Sequence, residues 1–457
     1  MQIGGWCGVC IPSRESAGDN RKWAKDRGDK GALMGKVGQF FLRTKLYWGL
    51  IVLFAAGVVS SPVSSKGVNI FLTPGNLADV LRQVSNNGIV AVGMTLVILT
   101  GGIDLSVGSV LALGTVVCAM LLTDPGWTSG SVIAVPMLIG VTFLLVAWFV
   151  GAAARTMAPP TISPPLRRAG SLGAGAVAAA LVGAWALVQV PATFGVVGVL
   201  VAVPAVGLCV GALSGVIIAK TRMQPFIVTL AMMVGILGVA RLVAGQDTAV
   251  HPVYTGENAT ADFEGLRALI YRILPVPGLF FLAAVAIFHV VLKRSTFGRY
   301  VYAIGGNEQA ARLSGINVDR VKIAVYALSG MLTCLAGVLY VAQYRQGKPD
   351  AGLGLELDAI AAVVIGGTNL MGGKGSMVGT LVGVLIFGFL GNILQLNNID
   401  SNTQLVLKGL IILAAVLLQE GNMRVLVWRA AGRVKRWLPA SARWGERPRE
   451  KPSTRSG

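Results

Sequence analysis

Apolar residues along this chain come in long unbroken runs, not in the alternating pattern of a half-buried strand or the three-four spacing of a surface helix. Runs of about 15 to 24 residues occupy 46–61, 84–100, 107–123, 131–150, 172–190, 196–219, 225–244, 277–292, 323–343, 358–373, 376–395 and 404–419. Each approaches the roughly 20 residues that carry a helix across a bilayer. Backbone hydrogen bonds cannot be left open to lipid, so each run predicts a helix. The expectation is an all-α polytopic membrane bundle of about twelve transmembrane helices. The run at 358–373 is short and rich in glycine.

Polar residues fall between these runs, and their signs orient the chain. Lys and Arg number 39 against 20 Asp and Glu, a net charge of +19, in a chain that is only 13% charged. A soluble domain carries roughly a quarter charged residues. The mean hydropathy of +0.70 points the same way. Basic residues crowd residues 1–45 and 420–457, and cytoplasmic segments carry excess Lys and Arg. Both termini are therefore expected in the cytoplasm, which requires an even number of spans. Alternation then puts Arg155, Arg167, Arg168, Lys220, Arg222 and loop 293–322 inside, with Asp124, the Asp247–Glu264 stretch and Asp400 outside. The signs agree only if 358–373 crosses. The charge thus reads as topology and contact with anionic membrane lipid, not as a nucleic-acid surface.

The expected division is a basic cytoplasmic extension over 1–45, a transmembrane domain over 46–419, and a basic cytoplasmic tail over 420–457. No signal peptide is expected, because the first apolar run reads as a span. Cys7 and Cys10 form a lone CxxC with no second pair for zinc. Cys118, Cys209 and Cys334 fall in spans, where they act as small hydrophobes.

Ion-coupled carriers place carboxylates within the membrane, yet the runs hold almost no ionisable group. The exceptions are Lys408, with His289 and Arg241 near span ends where snorkelling suffices; Asp358 sits at a boundary. A phosphate-binding loop needs G-x-x-x-x-G-K-[ST], and Gly372-Gly373-Lys374-Gly375 lacks the first glycine and the hydroxyl residue. No catalytic residue, metal site or resident cofactor is expected. A conduit driven by a partner fits better than an enzyme.

Two glycine-rich segments echo each other. Gly101-Gly102-Ile103-Asp104-Leu105-Ser106-Val107-Gly108-Ser109 aligns with Gly372-Gly373-Lys374-Gly375-Ser376-Met377-Val378-Gly379-Thr380 in the leading glycines and the Val-Gly pair. On the topology above, the copies run parallel, as in transporters built from repeats. Glycine pairs permit a break in the backbone or close helix contact. Asp104 and Ser106 then either cap the next helix or line the pathway. Gly366 and Gly367 are further candidates for a break. Asn86, Asn87, Asn369, Asn392 and Gln395 suit a hydroxylated neutral solute, though interhelical bonding explains them equally well.

Loop 293–322 predicts a short helix from Glu308 to Leu313, with Asn307 at its N-cap and Gly315 past its end. Glu308 and Arg312 sit at i,i+4 and complement the helix dipole. Such a helix between two spans is either a docking knob for a soluble partner or a solvated connector.

Three strings carry a family resemblance: Gly101 to Ser109; Phe297-Gly298-Arg299 through Gly306, Asn307, Glu308, Ala311 and Arg312 to Gly315-Ile316-Asn317-Val318; and Glu356-Leu357-Asp358-Ala359-Ile360-Ala361-Ala362 through Gly366-Gly367-Thr368. Over roughly 76–123 and 196–419 the chain resembles permease subunits of bacterial ATP-binding-cassette sugar importers, the branch serving ribose, xylose and galactose. The resemblance implies an inner-membrane core of two permease copies. It also implies cytoplasmic ATPase subunits, which use ATP and magnesium, docked on the 298–316 loop as coupling element, and a periplasmic binding protein delivering a monosaccharide. Residues 124–195 depart from the family pattern, as an insertion adding two spans to the usual ten or so. The rival readings are a self-sufficient secondary carrier of a small neutral solute and a non-transporting membrane scaffold.

Overall fold

The structure is a computed structural model, and it describes residues 47–63, 67–157, 164–245, 249–271 and 273–419. The 1–45 extension, the 420–457 tail and Asp247 lie outside the described residues.

Helices dominate. They are α1 (Tyr47–Ser60), α2 (Pro74–Leu99), α3 (Val107–Thr123), α4 (Ser129–Met157), α5 (Pro164–Gln189), α6 (Val196–Thr221), α7 (Pro225–Ala244) and α8 (Val276–Arg294). There follow the shorter α9 (Thr296–Gly306) and α10 (Glu308–Leu313), then α11 (Val318–Tyr344), α12 (Leu355–Ile365), α13 (Met377–Leu396) and α14 (Ser401–Gln419). Among the described residues seven helices (α4 to α8, α11 and α13) are long and apolar enough to cross a membrane.

Several expected boundaries move. The helix expected over 84–100 starts at Pro74, because Thr73 caps it through its side chain and proline occupies the first turn, a position where its missing N–H costs nothing. The span expected over 358–373 is a helix only at Leu355–Ile365, about 16 Å long, too short to cross by itself. Arg345 ends α11 with φ +55°, and an extended stretch then runs along α3 until Gly352 packs against the Gly108 carbonyl. The 345–373 segment is thus built from extended chain, turns, a short helix and a glycine-rich turn in place of one long helix; such irregular backbone is tolerated at membrane depth where protein lines it.

The central contact joins α6 to α11. Gly207, Gly211 and Gly215 recur every four residues on α6, and each presses its backbone against Gly330, Tyr326 or Ile323 of α11. A side chain at any of these glycines would strike backbone. With no hydrophobic drive between helices in lipid, such close packing supplies the adhesion. Around this pair, α2 and α3 are buried along most of their length. Helices α4 and α5 pack side by side on the flank, where Gly175 abuts the Phe143 carbonyl.

The bundle has two ends. At one, the last turn of α2 meets α9, which leads through α10 into α11. At the other, β1 (His251–Pro252) pairs with β4 (Gln346–Gly347), and a 3₁₀ turn over Ala261–Arg267 sits near the end of α11.

Candidate functional site

The connection between α8 and α11 forms a compact knob. Ser295 caps α9 by accepting from the Gly298 amide, where Gly298 also packs tightly on the Leu292 backbone. Asn307 caps α10 by accepting from the Ala310 amide at 3.0 Å, and Gly315 closes it with φ +82°. The helix has the bounds expected from sequence. Ala311 is buried beneath it, whereas Leu313 at its end is 90% exposed. Gly306 and Arg299 are exposed.

A charge network fixes the knob to α11. Glu308 accepts from Lys322 at 2.7 Å and from Arg312 at 3.2 Å, and Arg312 donates to Asp319 at 2.8 Å. Burial pushes the Glu308 carboxyl up, but Lys322 and Arg312 outweigh it and hold the carboxyl below its ordinary value. The Asp319 contact raises the Arg312 guanidinium further. Sequence spacing revealed the Glu308–Arg312 pair; Lys322 and Asp319 join only through the turn at Gly315.

Beneath the knob three glycine pairs converge. Gly305 at the end of α9 lies against the Leu99 carbonyl and the Gly373 nitrogen. The Gly373 amide donates to that same Leu99 carbonyl at 3.0 Å. A Cβ on Gly372 would fall 2.8 Å from the Gly101 nitrogen and 3.0 Å from the Gly305 Cα. Gly372 and Gly373 also hold φ +85° and +71°, which only glycine adopts freely. Tyr302 of α9 donates to the Gly375 carbonyl at 2.9 Å. The two echoing segments therefore meet each other and the knob at one junction. Both repeat units, α2-turn-α3 and α12-turn-α13, run toward this end and back. Gly305, the third member of the meeting, was not among the sequence candidates; its pairing with Gly306 was the available signal.

The turn after α2 folds back into the bundle. Asp104 is buried, and it does not cap α3 as expected. Its carboxylate accepts from the Ser106 amide at 3.0 Å, from the Ser106 hydroxyl at 2.6 Å, and from Ser329 of α11 at 3.2 Å. Ser106 makes no capping bond of its own. Gly102 packs by the Tyr326 hydroxyl. Gly366 abuts the Gly379 carbonyl, and Gly367 turns with φ +87°.

Within the bundle the amide residues separate into two groups. Asn76 and Asn392 bond reciprocally at 3.0 and 2.8 Å and Asn86 donates to Gln343 at 3.2 Å: these join elements together, while Asn369 accepts from the Met371 amide within its own turn. Asn87 and Gln395 instead line a polar cavity between α2, α12, α13 and α14, together with Gln83 and Gln404. There Lys408 does not reach for the membrane edge but pairs with Asp358 at 2.9 Å, each side chain about a quarter exposed (25% and 24%). Among the described residues no group of three potential metal ligands occurs.

The model of the branched-chain amino acid transport system / permease component family matches residues 76–166 and 170–416. The chain is 42% identical to the ribose import permease of Escherichia coli (strain K12) over 371 residues, 80% of this chain and 91% of that relative. Identity to the ribose import permease of Haemophilus influenzae is 36%, over 84% of this chain and 94% of the relative. To the xylose transport system permease of Escherichia coli it is 33%, over 78% and 87%. No solved structure matches. A match of this extent, with relatives covered over nearly their whole length, makes the chain a member of the branched-chain amino acid transport system / permease component family.

Proposed function

We propose that this chain is the inner-membrane permease of an ATP-driven importer of a monosaccharide of the ribose and xylose class. The family description names branched-chain amino acids, but the covered relatives are ribose and xylose permeases. The polar groups of the bundle interior are mostly Ser and Thr hydroxyls, and the cavity lining adds neutral amides; both kinds of group can donate to and accept from sugar hydroxyls.

On this reading a separate ATPase docks on α9 and α10, a secreted sugar-binding protein docks on the opposite end, and two copies of the chain form the core. ATP and magnesium belong to the ATPase. The observation that carries the reading is the knob itself. Charge pairs hold its short helix, Leu313 is offered to a partner, and its base is in backbone contact with both glycine-rich turns. A push on α10 would pass through α9, whose Gly305 touches the end of α2 and the turn before α13, the kind of rigid-element link through which sites couple.

The test is reconstitution of the chain in proteoliposomes with an ATP-binding-cassette ATPase and a sugar-binding protein. Uptake of ribose or xylose that requires ATP is expected, and Leu313→Glu should weaken ATPase capture at least tenfold while insertion is unchanged. Uptake that follows an imposed proton gradient without ATPase would instead favour a self-sufficient carrier.

A further inference from the structure

Two polar cavities adjoin inside the bundle, and they share Gln83 and Gln395. The outer one opens at the end away from the knob, between Arg82 of α2, Glu264 and Arg267 of the 3₁₀ turn, and Gln343 of α11. The inner one continues past Asn87 to Asp358, Gln404 and Lys408. Their volumes are about 440 and 100 Å³; small-ligand sites occupy roughly 300–1,000 Å³, so the outer cavity is of that size and the inner one is a narrow continuation of it.

Gln83 lies about 14 Å along α2 from its first residue and Asn87 about 20 Å, so both amides sit well within the length of this mostly buried helix. Polar side chains at that depth cannot face hydrocarbon and must face water or protein. Gln83 and Gln395 are exposed, and Asn87, Gln404, Asp358 and Lys408 are half-buried, so this lining faces an open aqueous chamber. The chemistry is specific. Four amides each offer donors and an acceptor, while Asp358 accepts and Lys408 donates. The charges cancel within their own pair, and Val84, Ala362, Val384 and Phe387 complete the inner wall, so the lining carries no net charge and sets hydrogen-bonding groups beside apolar surface. That suits a neutral polyol better than a cation, an anion or an apolar solute.

We infer that this chamber is the binding site for the monosaccharide within the permease, with the amides of α2, α13 and α14 grasping hydroxyls and the Asp358–Lys408 pair forming its floor. The inference rests on the importer reading and adds to it the side chains that recognise the cargo. Because α12 carries Asp358 of the floor and leads into the glycine-rich turn beneath the knob, movement at the knob would reshape the chamber.

The full-length chain, reconstituted with its ATPase and binding protein, provides the test. Asn87→Leu and Gln395→Leu are expected to lower uptake of radiolabelled ribose or xylose at least tenfold, with stimulated ATP hydrolysis within twofold of wild type. The double variant Gln83→Leu/Gln404→Leu alters exposed and half-buried positions, so it should assemble even if Asn87→Leu does not, and should give the same signature. Uptake within twofold of wild type in assembled Gln395→Leu and Gln83→Leu/Gln404→Leu complexes would overturn the assignment while leaving the importer reading intact. Stimulated hydrolysis lost together with uptake would move these residues to coupling, and overturns it too. Wild-type protein that takes up leucine or valine but no pentose would overturn the importer reading itself.

Discussion

Asp104 shows how much one side chain holds at the turn after α2. It accepts three hydrogen bonds from Ser106 and Ser329, and Asp104→Ala leaves those buried donors unpaired, at a cost of about 1–3 kcal/mol. Asp350 is half-exposed beside Lys348 at 3.5 Å, so Asp350→Ala should cost no more than about 0.5 kcal/mol. Paired uptake assays should show the first variant clearly impaired and the second close to wild type; equal uptake would detach Asp104 from transport. Glu308 makes a pH prediction. Its carboxyl is held down by Lys322 and Arg312, so the stabilisation is complete above the ordinary carboxylate value near ~4.3 and is lost as pH falls through the lower folded value. Protection of the 308–313 amides, their exchange rate relative to unstructured chain at the same pH, should hold from neutral pH to about that point and be lost below it. Glu308→Gln should exchange fast at neutral pH as well.

At the scale of elements, α9 is the member whose ending matters most. Its Gly305 touches the Leu99 carbonyl and Gly373 at once, and any side chain there forces three backbones apart. Gly305→Val is expected to cost about 1–3 kcal/mol and to uncouple ATP hydrolysis from uptake. Gly235→Val meets open space and serves as control; thermal unfolding and coupled uptake separate the two. The same logic explains α12. A run of apolar residues with two glycine pairs reads as one span, but closeness to Gly379 and Gly383 selects a short helix and a turn. Nothing in a hydropathy window distinguishes these outcomes, because the deciding contacts come from another helix.

For the whole molecule, α4 and α5 raise a question of necessity. Their ends return to one place: the Gly126 amide donates to the Val190 carbonyl at 2.7 Å, and the Phe194 amide to the Leu121 carbonyl at 2.8 Å. Removing residues 127–189 and joining Gly126 to Val190 therefore spans no gap and preserves the direction of every later helix. If the pair is an addition to the transport core, the shortened chain should insert, capture the ATPase and retain at least half of its stimulated hydrolysis. Loss of insertion would make α4 and α5 part of the core.

The amino-acid sequence by itself determined the lipid-embedded helical class, the helices at 107–123 and 225–244, and the capped helix at 308–313. These depend on local chemistry: unbroken apolar length in a solvent without water, an asparagine cap, a glycine stop, and charges four residues apart. The α6–α11 glycine seam is written on α6 as a four-residue spacing, but that spacing does not name α11 as its partner. Only the tertiary structure decided that three glycine pairs share one junction, that Lys408 meets Asp358 fifty residues away, and which asparagines join helices and which face an open chamber. Each of those outcomes requires two distant segments to occupy the same few ångströms, and a linear pattern carries no distance between segments that the chain brings together only on folding.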